Sequence, residues 1–432
     1  MQNKQSSRRQ FLSSTTSAAI GAATISSLGI VNQAHAAGGN LLKVGLIGCG
    51  GRGTKAAVQA LRADKNVQLT AMGDVFEDRL AMSHLSLTEI EDVAGKVNVP
   101  KERQFIGFDA YQQVIDSGVD VVLLTTPPHF RPIHIEAAIN ANKHIFAEKP
   151  VAVDAPGVRR VLQLCEEAKK KDLAVCSGLC LRYGYGFQET INRIHQAEVG
   201  DVHTLQANDY RGFLWMHPRK DEWTDMHWQM RNWYYFTWLS GDFNVEQHVH
   251  YLDICAWAMG DQYPVSAIGM GGREVRKGPE FGNIFDHHSV TYEFESGAKL
   301  FSNTRQIAGC ARDMSAQVVG SKGSVNLNER KRGLYITKGD KKWTYEGEDN
   351  DIYQTEHDVL FASIRDGEPI NNGRYMAHST MLAIMGRMAT YTGQKVTWEQ
   401  ALNSKEDLSP PKYEWGKIAA PAVAIPGVTK LV

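Results

Sequence analysis

The residues of this chain that could do chemistry fall into a few short stretches. Gly48-Cys49-Gly50-Gly51-Arg52-Gly53 stands between an apolar run, Val44 to Ile47, and a helical pattern through Ala56, Ala57, Ala60 and Leu61. Glycines at these places allow a tight turn (Gly48), close backbone approach to a pyrophosphate (Gly50) and close helix–strand packing (Gly53). The first amides of the helix can then hold phosphate, so Gly51 and Arg52 join the candidate binding residues. A second apolar run, Val67 to Met72, leads to Asp74, about 20 residues on, where a carboxylate binds ribose hydroxyls and repels a 2′-phosphate. Strand, turn, helix, strand and acid predict a dinucleotide site that takes NAD rather than NADP, with Arg79 pulling the other way.

Two further stretches fall at strand ends. Thr125-Thr126-Pro127-Pro128-His129 closes the run Val119 to Thr125, at the carboxyl edge where open parallel sheets bind ligands. Thr126, Pro127 and His129 are candidates for cofactor contact; a proline-fixed loop without chemistry is the plainer reading. Glu148-Lys149-Pro150 closes the run His144 to Ala147 at the same edge, so Glu148 and Lys149 are also candidates for cofactor contact. A lysine there can hydrogen-bond a substrate hydroxyl and help move its proton during hydride transfer, although most strand-end lysines are simply solvated. Later come Glu246, His248, His250 and Asp253. On a helix, the spacing of Glu246, His248 and His250 cannot point all three one way. A strand could do so, with His287 and His288 adding ligands, but no metal is expected. Residues 209–238 hold five of the nine tryptophans, Trp215, Trp223, Trp228, Trp233 and Trp238, with Arg211, His217, His227 and Arg231. Such rings can stack on sugar faces, or pack over a sheet or against another subunit.

The elements that must position these groups form two patterns. From Leu42 to about Ser177, continuous apolar runs alternate with helical stretches (133–141, 158–168), which argues for a parallel sheet buried on both faces. After Gly178 and a helix over 187–195, strands follow one another at 202–210, 265–270, 289–294, 299–305, 315–319 and 324–327. Val290, Tyr292 and Phe294 alternate with polar residues, as expected of an antiparallel sheet with one wet face. Helical spacing returns at 353–364 and 376–391, and the proline-bearing tail from Ser409 reads as extended. The expected organisation is residues 1–36 as a leader, 37–178 as a dinucleotide-binding domain, 179–408 as an α+β substrate and oligomerisation domain, and 409–432 as a tail.

The chain of 432 residues is long enough for two domains, and its net charge of −1 argues against nucleic acid as a partner. Ser7-Arg8-Arg9-Gln10-Phe11-Leu12, the mildly apolar 18–31 and Ala34-His35-Ala36 read as a twin-arginine signal with a cleavage site, hence export to the periplasm or beyond, with no membrane span in the mature chain. That route carries folded proteins, so a cofactor would travel with the chain, be held tightly and be regenerated in place. The six cysteines, one of them in the glycine turn, do not form a disulfide pattern.

The glycine turn, the TTPPHFRPIH segment, the AEKP motif and the later His-x-x-Asp together resemble the Gfo/Idh/MocA oxidoreductases over roughly residues 42–400. The resemblance implies an α/β protein: an N-terminal Rossmann domain and a C-terminal α+β domain on a largely antiparallel, open-faced sheet. It further implies NAD(P)-linked oxidation or reduction of sugars or cyclitols, and homo-oligomers through the open face. By this resemblance His250 would be the general acid/base, assisted by Lys149, with Glu246 also near; Glu246 takes the place of the family's usual aspartate, and His248 replaces a usual glycine. Arg182, Trp233, Tyr234, His248 and Asp253 are then candidate substrate residues. The leading expectation is an exported NAD-dependent oxidoreductase acting on a sugar, glycoside or cyclitol. A second is an NAD-dependent glycoside hydrolase or lyase working by transient oxidation and elimination, although the glycosidases of this fold lack the Glu-Lys-Pro lysine. A third, a non-catalytic sugar sensor, is at odds with Lys149 and His250.

Overall fold

The computed structural model describes residues 40–329 and 333–432; the twin-arginine stretch and cleavage site lie outside them. Six parallel strands form the first sheet: β1 (Leu42–Ile47), β2 (Val67–Asp74), β3 (Gln104–Ile106), β4 (Val121–Leu124), β5 (His144–Ala147) and β6 (Val175–Ser177). Their order is β3-β2-β1-β4-β5-β6. The winding reverses between β1 and β4, which opens a crevice beyond their carboxyl ends. Asp74 ends β2 at this edge, and Gly48, Thr126 and Glu148 follow the strands that end there. Strand β3 has no counterpart in the sequence reading because its three half-exposed edge residues show no apolar run.

The second sheet contains β7 (Val202–Arg211), β8 (Ser266–Gly272), β9 (His287–Glu293), β10 (Lys299–Gln306), β11 (Asp313–Gly320), β12 (Gly323–Leu327), β13 (Tyr335–Lys338), β14 (Lys341–Thr344) and β15 (Val396–Thr397). Their order is β14-β13-β12-β11-β7-β10-β9-β8-β15, antiparallel except where β7 runs parallel to β10. In β9, His288, Val290 and Tyr292 are buried while the residues between them are not. One face is covered by the helices Val249–Ala258 and Gly373–Thr392; the other exposes Ile268, Met270, Phe301 and Val319. Helix Gly373–Thr392 is buried on nearly every side because it also packs on helix Ala155–Lys170 of the first layer. It carries apolar residues all round, as a helix enclosed by protein must.

Helix Ile352–Arg365 crosses back to pack on the helix Gly51–Ala63 that follows the glycine turn. Its Leu360 and Phe361 are fully buried in the core cluster shared with that helix and the sheet, at about 1.5–3 kcal/mol each. This return places Glu356 beside Arg52, 304 residues away in sequence. All six cysteines are free thiols, five of them buried. Among the described residues no helix is long and apolar enough to cross a membrane.

Candidate active site

The helix Gly51–Ala63 begins at Gly50 with no side chain capping it, so its first amides are left for another partner. Gly48 has φ +99°, and a Cβ there would lie 2.6 Å from the Thr126 nitrogen. A Cβ on Gly53 would lie 1.9 Å from the Gly48 oxygen. Packing alone therefore requires both glycines. Gly50 is different: a Cβ would meet nothing within 4 Å, so its open side faces space that the protein does not fill. That space is a cavity of about 560 Å³, bounded by the glycine turn, Arg52, Asp74, Thr126 and Pro127, and across from them by Trp215, Met230, Arg231 and Trp233.

Against the glycine turn, Asp74 accepts hydrogen bonds from the Cys49 nitrogen (2.6 Å) and the Phe76 nitrogen (2.8 Å). Burial raises its pKa, against the pull of these two amides. The nearby cations are engaged elsewhere. Arg231 makes a two-pronged bond to Asp78 (2.7 and 2.9 Å) and stacks on Phe76, while Arg79 reaches His217 at 3.4 Å. Uncapped amides, an open Gly50 and an oriented carboxylate lining one cavity fit a dinucleotide, and the carboxylate fits NAD.

Arg131 is fully buried and donates to the carbonyls of Leu124 (3.0 Å) and Glu148 (2.8 Å) and to the Thr126 hydroxyl (3.3 Å). It thereby fixes the ends of β4 and β5 together. His129 does not line the cavity. It is buried with Nε2 2.8 Å from the Tyr413 hydroxyl and its ring edge-on to Trp238, and burial pushes its pKa down to about 4. The tail therefore lies against the first domain: Trp415 packs on Phe76, Phe108 and His227, and the first two of these form part of the cavity wall.

From the cavity a line of polar contacts runs into the second domain. Arg52 binds Glu148 through Nε in a short contact, Glu356 through Nη2 (2.7 Å) and Gln59 through Nη1 (2.7 Å). Among the neighbouring charges Arg52 leads in holding Glu148 below the usual carboxylate range, while burial and then Glu148 push the fully buried Glu356 well above it. The other oxygen of Glu148 accepts the Lys149 amide (3.2 Å). The Lys149 ammonium donates to the carbonyl (2.6 Å) and carboxylate (2.9 Å) of Glu246. His250 is close enough for Lys149, Arg211 and Arg52 to act on it: burial first, then these three charges, push its pKa well below the ordinary value. Its ring is therefore neutral, and its buried Nδ1 has no partner. Lys149, Glu246 and His250 are thus assembled from a strand end and two helices.

The remaining candidates are placed differently. Trp233 lines the dinucleotide cavity. Tyr234 is buried, its hydroxyl accepting from Gln306 (2.7 Å). His248 is fully buried against the Ser302 hydroxyl (2.8 Å), with its pKa lowered to about 3 by burial. Arg182 and Asp253 form a two-pronged pair at 2.8 Å, with Asp261 and Ser379 taking further bonds, and so are committed to each other. Within the tryptophan-rich segment, Trp215 and Trp233 face the cavity, whereas Trp228 and Trp238 pack inside an aromatic cluster. His287 bonds Asp286 and His288 bonds Asp242; among the described residues no group of three or more His, Cys, Asp or Glu could hold a metal ion.

Sequence reasoning passed over Asp209. It lies on the central strand β7, on the face of Leu205 and Ala207, fully buried. One oxygen accepts from the Arg211 Nε and the other has no partner. Burial raises its pKa to about 6 against the pull of Arg211 and Lys149. An aspartate in phase with inward-facing residues was the available signal.

A family model described as "Oxidoreductase family, NAD-binding Rossmann fold" matches residues 42–176, and a second, "GFO/IDH/MocA C-terminal domain", matches 187–326. The myo-inositol 2-dehydrogenase of Thermotoga maritima is 25% identical over 337 residues, covering 76% of this chain and 90% of that protein. The 2,7-anhydro-N-acetylneuraminate hydratase of Escherichia coli is 25% identical over 243 residues, 56% of this chain and 60% of that protein. The crystal structure of an aldose-aldose oxidoreductase from Caulobacter crescentus shares the fold with a TM-score of 0.66 at 19% identity, covering 83% of this chain and all of that one.

Proposed function

From the premise that this chain belongs to the Gfo/Idh/MocA oxidoreductases, a family with an NAD-binding Rossmann fold, we propose that it oxidises or reduces a sugar, glycoside or cyclitol with an NAD that stays bound through the cycle. The observation that carries this reading is the Lys149–Glu246 pair beside the neutral His250, joined to the cavity through Glu148 and Arg52. Bound NAD supplies a hydride acceptor or donor. Lys149 is oriented by two bonds to Glu246, which leaves its third donor for the reacting hydroxyl. The neutral His250 takes the hydroxyl proton as a carbonyl forms and returns it in the reverse direction.

Two features support retention of the cofactor. The cavity is walled on one side by Trp215, Met230 and Trp233, and Trp415 braces another wall from outside. The twin-arginine pattern at Ser7 to Leu12 adds a reason, since an exported enzyme would carry its NAD with it; we place the protein outside the cytoplasm on that pattern. The apolar Ile268, Met270 and Phe301 on the open sheet face are proposed to meet a second copy of the chain.

A second reading, hydration or elimination at a sugar carbon, draws on the hydratase relative and on Asp209, an additional carboxylate near Lys149. The test is mass spectrometry of the purified protein for bound NAD(H), then a panel of sugars and glycosides followed at the nicotinamide absorbance band. A net absorbance change supports simple redox, and product release without one supports the second reading. A protein that neither carries nor binds NAD would sink both.

A further inference from the structure

Among the described cations around Lys149 and His250, Arg211 alone has both terminal guanidinium nitrogens without a partner, and Lys149 keeps one donor for the reacting hydroxyl. Lys149 is bonded to Glu246, Arg52 to Glu148, Glu356 and Gln59, and Arg131 to two carbonyls and a hydroxyl. Arg211 ends the central strand β7 and uses only Nε, on Asp209. Its two terminal nitrogens bond no described residue and are not sealed from solvent, the side chain being 20% exposed. Arg211 stands in phase with Leu205, Ala207 and Asp209 on the face of β7 that the helix carrying His250 covers, and its charge reaches His250 and His248.

A guanidinium with Nε fixed presents its two outer N–H groups as a fork matched to a carboxylate. Neutral hydroxyls would leave the charge poorly balanced, because its one partner, Asp209, is a weakly held counter-charge. Asp209 and Glu246 also disfavour a dianion at the same place. We propose that the substrate is a sugar acid, and that Arg211 selects it by binding its carboxylate two-pronged beside Lys149 and His250. This rests on the oxidoreductase reading for the reaction, but the binding claim stands apart from it.

Asp209 faces Arg211 on its own strand, Lys149 after β5, and Glu246 and Tyr251 from the helices above. It becomes neutral as pH falls through about 6, while a uronate stays ionised, so affinity for the acid should rise between pH 7.5 and 5.5.

The experiment uses the full chain with NAD bound. Glucose is compared with glucuronate, galactose with galacturonate, and glucose 6-phosphate is added at pH 7.5, where its phosphate is mostly a dianion. Binding is measured by calorimetry and turnover at the nicotinamide band. The expected result is at least tenfold tighter binding of the uronate than of its neutral partner, stronger at pH 5.5. Arg211→Gln should raise KM for the uronate at least tenfold more than for the neutral sugar, and Arg211→Lys should recover part of that. Equal binding of the pair, equal losses on both in Arg211→Gln, or preference for the phosphate would each overturn the proposal. Should Arg211→Gln fail to fold, the ratio in the unaltered protein decides. Uronate binding without turnover of any sugar would leave the Arg211 assignment standing and overturn the oxidoreductase reading.

Discussion

If the tail holds the cofactor cavity closed, Trp415→Ala should loosen NAD. Trp415 lies 5.5 Å from the Phe76 ring at 28°, 4.9 Å from Phe108 and 5.1 Å from His227, centre to centre. Aromatic pairs contribute about 0.5–1.5 kcal/mol each beyond the area they bury. Three of them give roughly 1.5–4.5 kcal/mol, and the indole is 43% exposed, so the lower half of that span, about 2 kcal/mol, is the expected loss. At about 1.4 kcal/mol per tenfold, this is roughly a thirtyfold faster release of NAD if the wall must yield for the nucleotide to leave. The assay loads the protein with NADH and follows nicotinamide fluorescence after a trap is added, at fixed temperature and salt. Tyr413→Phe, which removes the hydroxyl bonded to His129, should raise the rate less, by about one hydrogen bond's net worth, ~1 kcal/mol. Trp343, which covers Arg193 far from the cavity, serves as the control for loss of a tryptophan. A Trp415→Ala release rate within about threefold of the unaltered protein would refute a load-carrying tail.

Three more outcomes follow from the site. Gly50→Ala should fold with an unchanged melting temperature but lose bound NAD, whereas Gly53→Ala should lower the melting temperature, since only the second would collide with the protein itself; calorimetry with nucleotide quantification separates them. Lys149→Met should lower kcat by about 10²–10⁴-fold with NAD occupancy retained, as expected for loss of a proton-transfer partner and read by steady-state kinetics on an active sugar. Asp209 is raised from 3.8 to about 6 by burial, so the folded state binds more protons than the unfolded one between those values, and stability falls as pH rises through that window. Asp209→Asn removes the dependence: its stability relative to the unaltered protein should grow by about 2–3 kcal/mol from pH 4 to pH 7 in denaturant titrations, and a pH-independent difference would contradict the shift.

What the sequence disclosed is what local stereochemistry dictates. A glycine at φ +99°, a helix opening on Gly50 and an acid at the end of the next strand constrain one another within about thirty residues, so their types alone identify the turn. Lys149 was legible for a similar reason, because an apolar four-residue strand fixes the edge at which the next residue emerges. Arg182 and Asp253 carried no such sign: 71 residues separate them, and nothing in either neighbourhood announces that each satisfies the other. The helices of 225–258 were hard to place because most are single turns held by tertiary packing and by the aromatic cluster rather than by periodicity. The tail reads from its prolines as an extended strand of chain with no task, yet Tyr413 and Trp415 lie on the outer side of the dinucleotide cavity. A pair of aromatic residues within the otherwise polar stretch 409–417 needs an apolar surface to rest on, and Phe76 and Phe108 supply it on the loops after β2 and β3. The segment that ends the chain and the loops that begin the cofactor site therefore share one stability: whatever frees the tail from those rings also weakens the wall against which NAD is held.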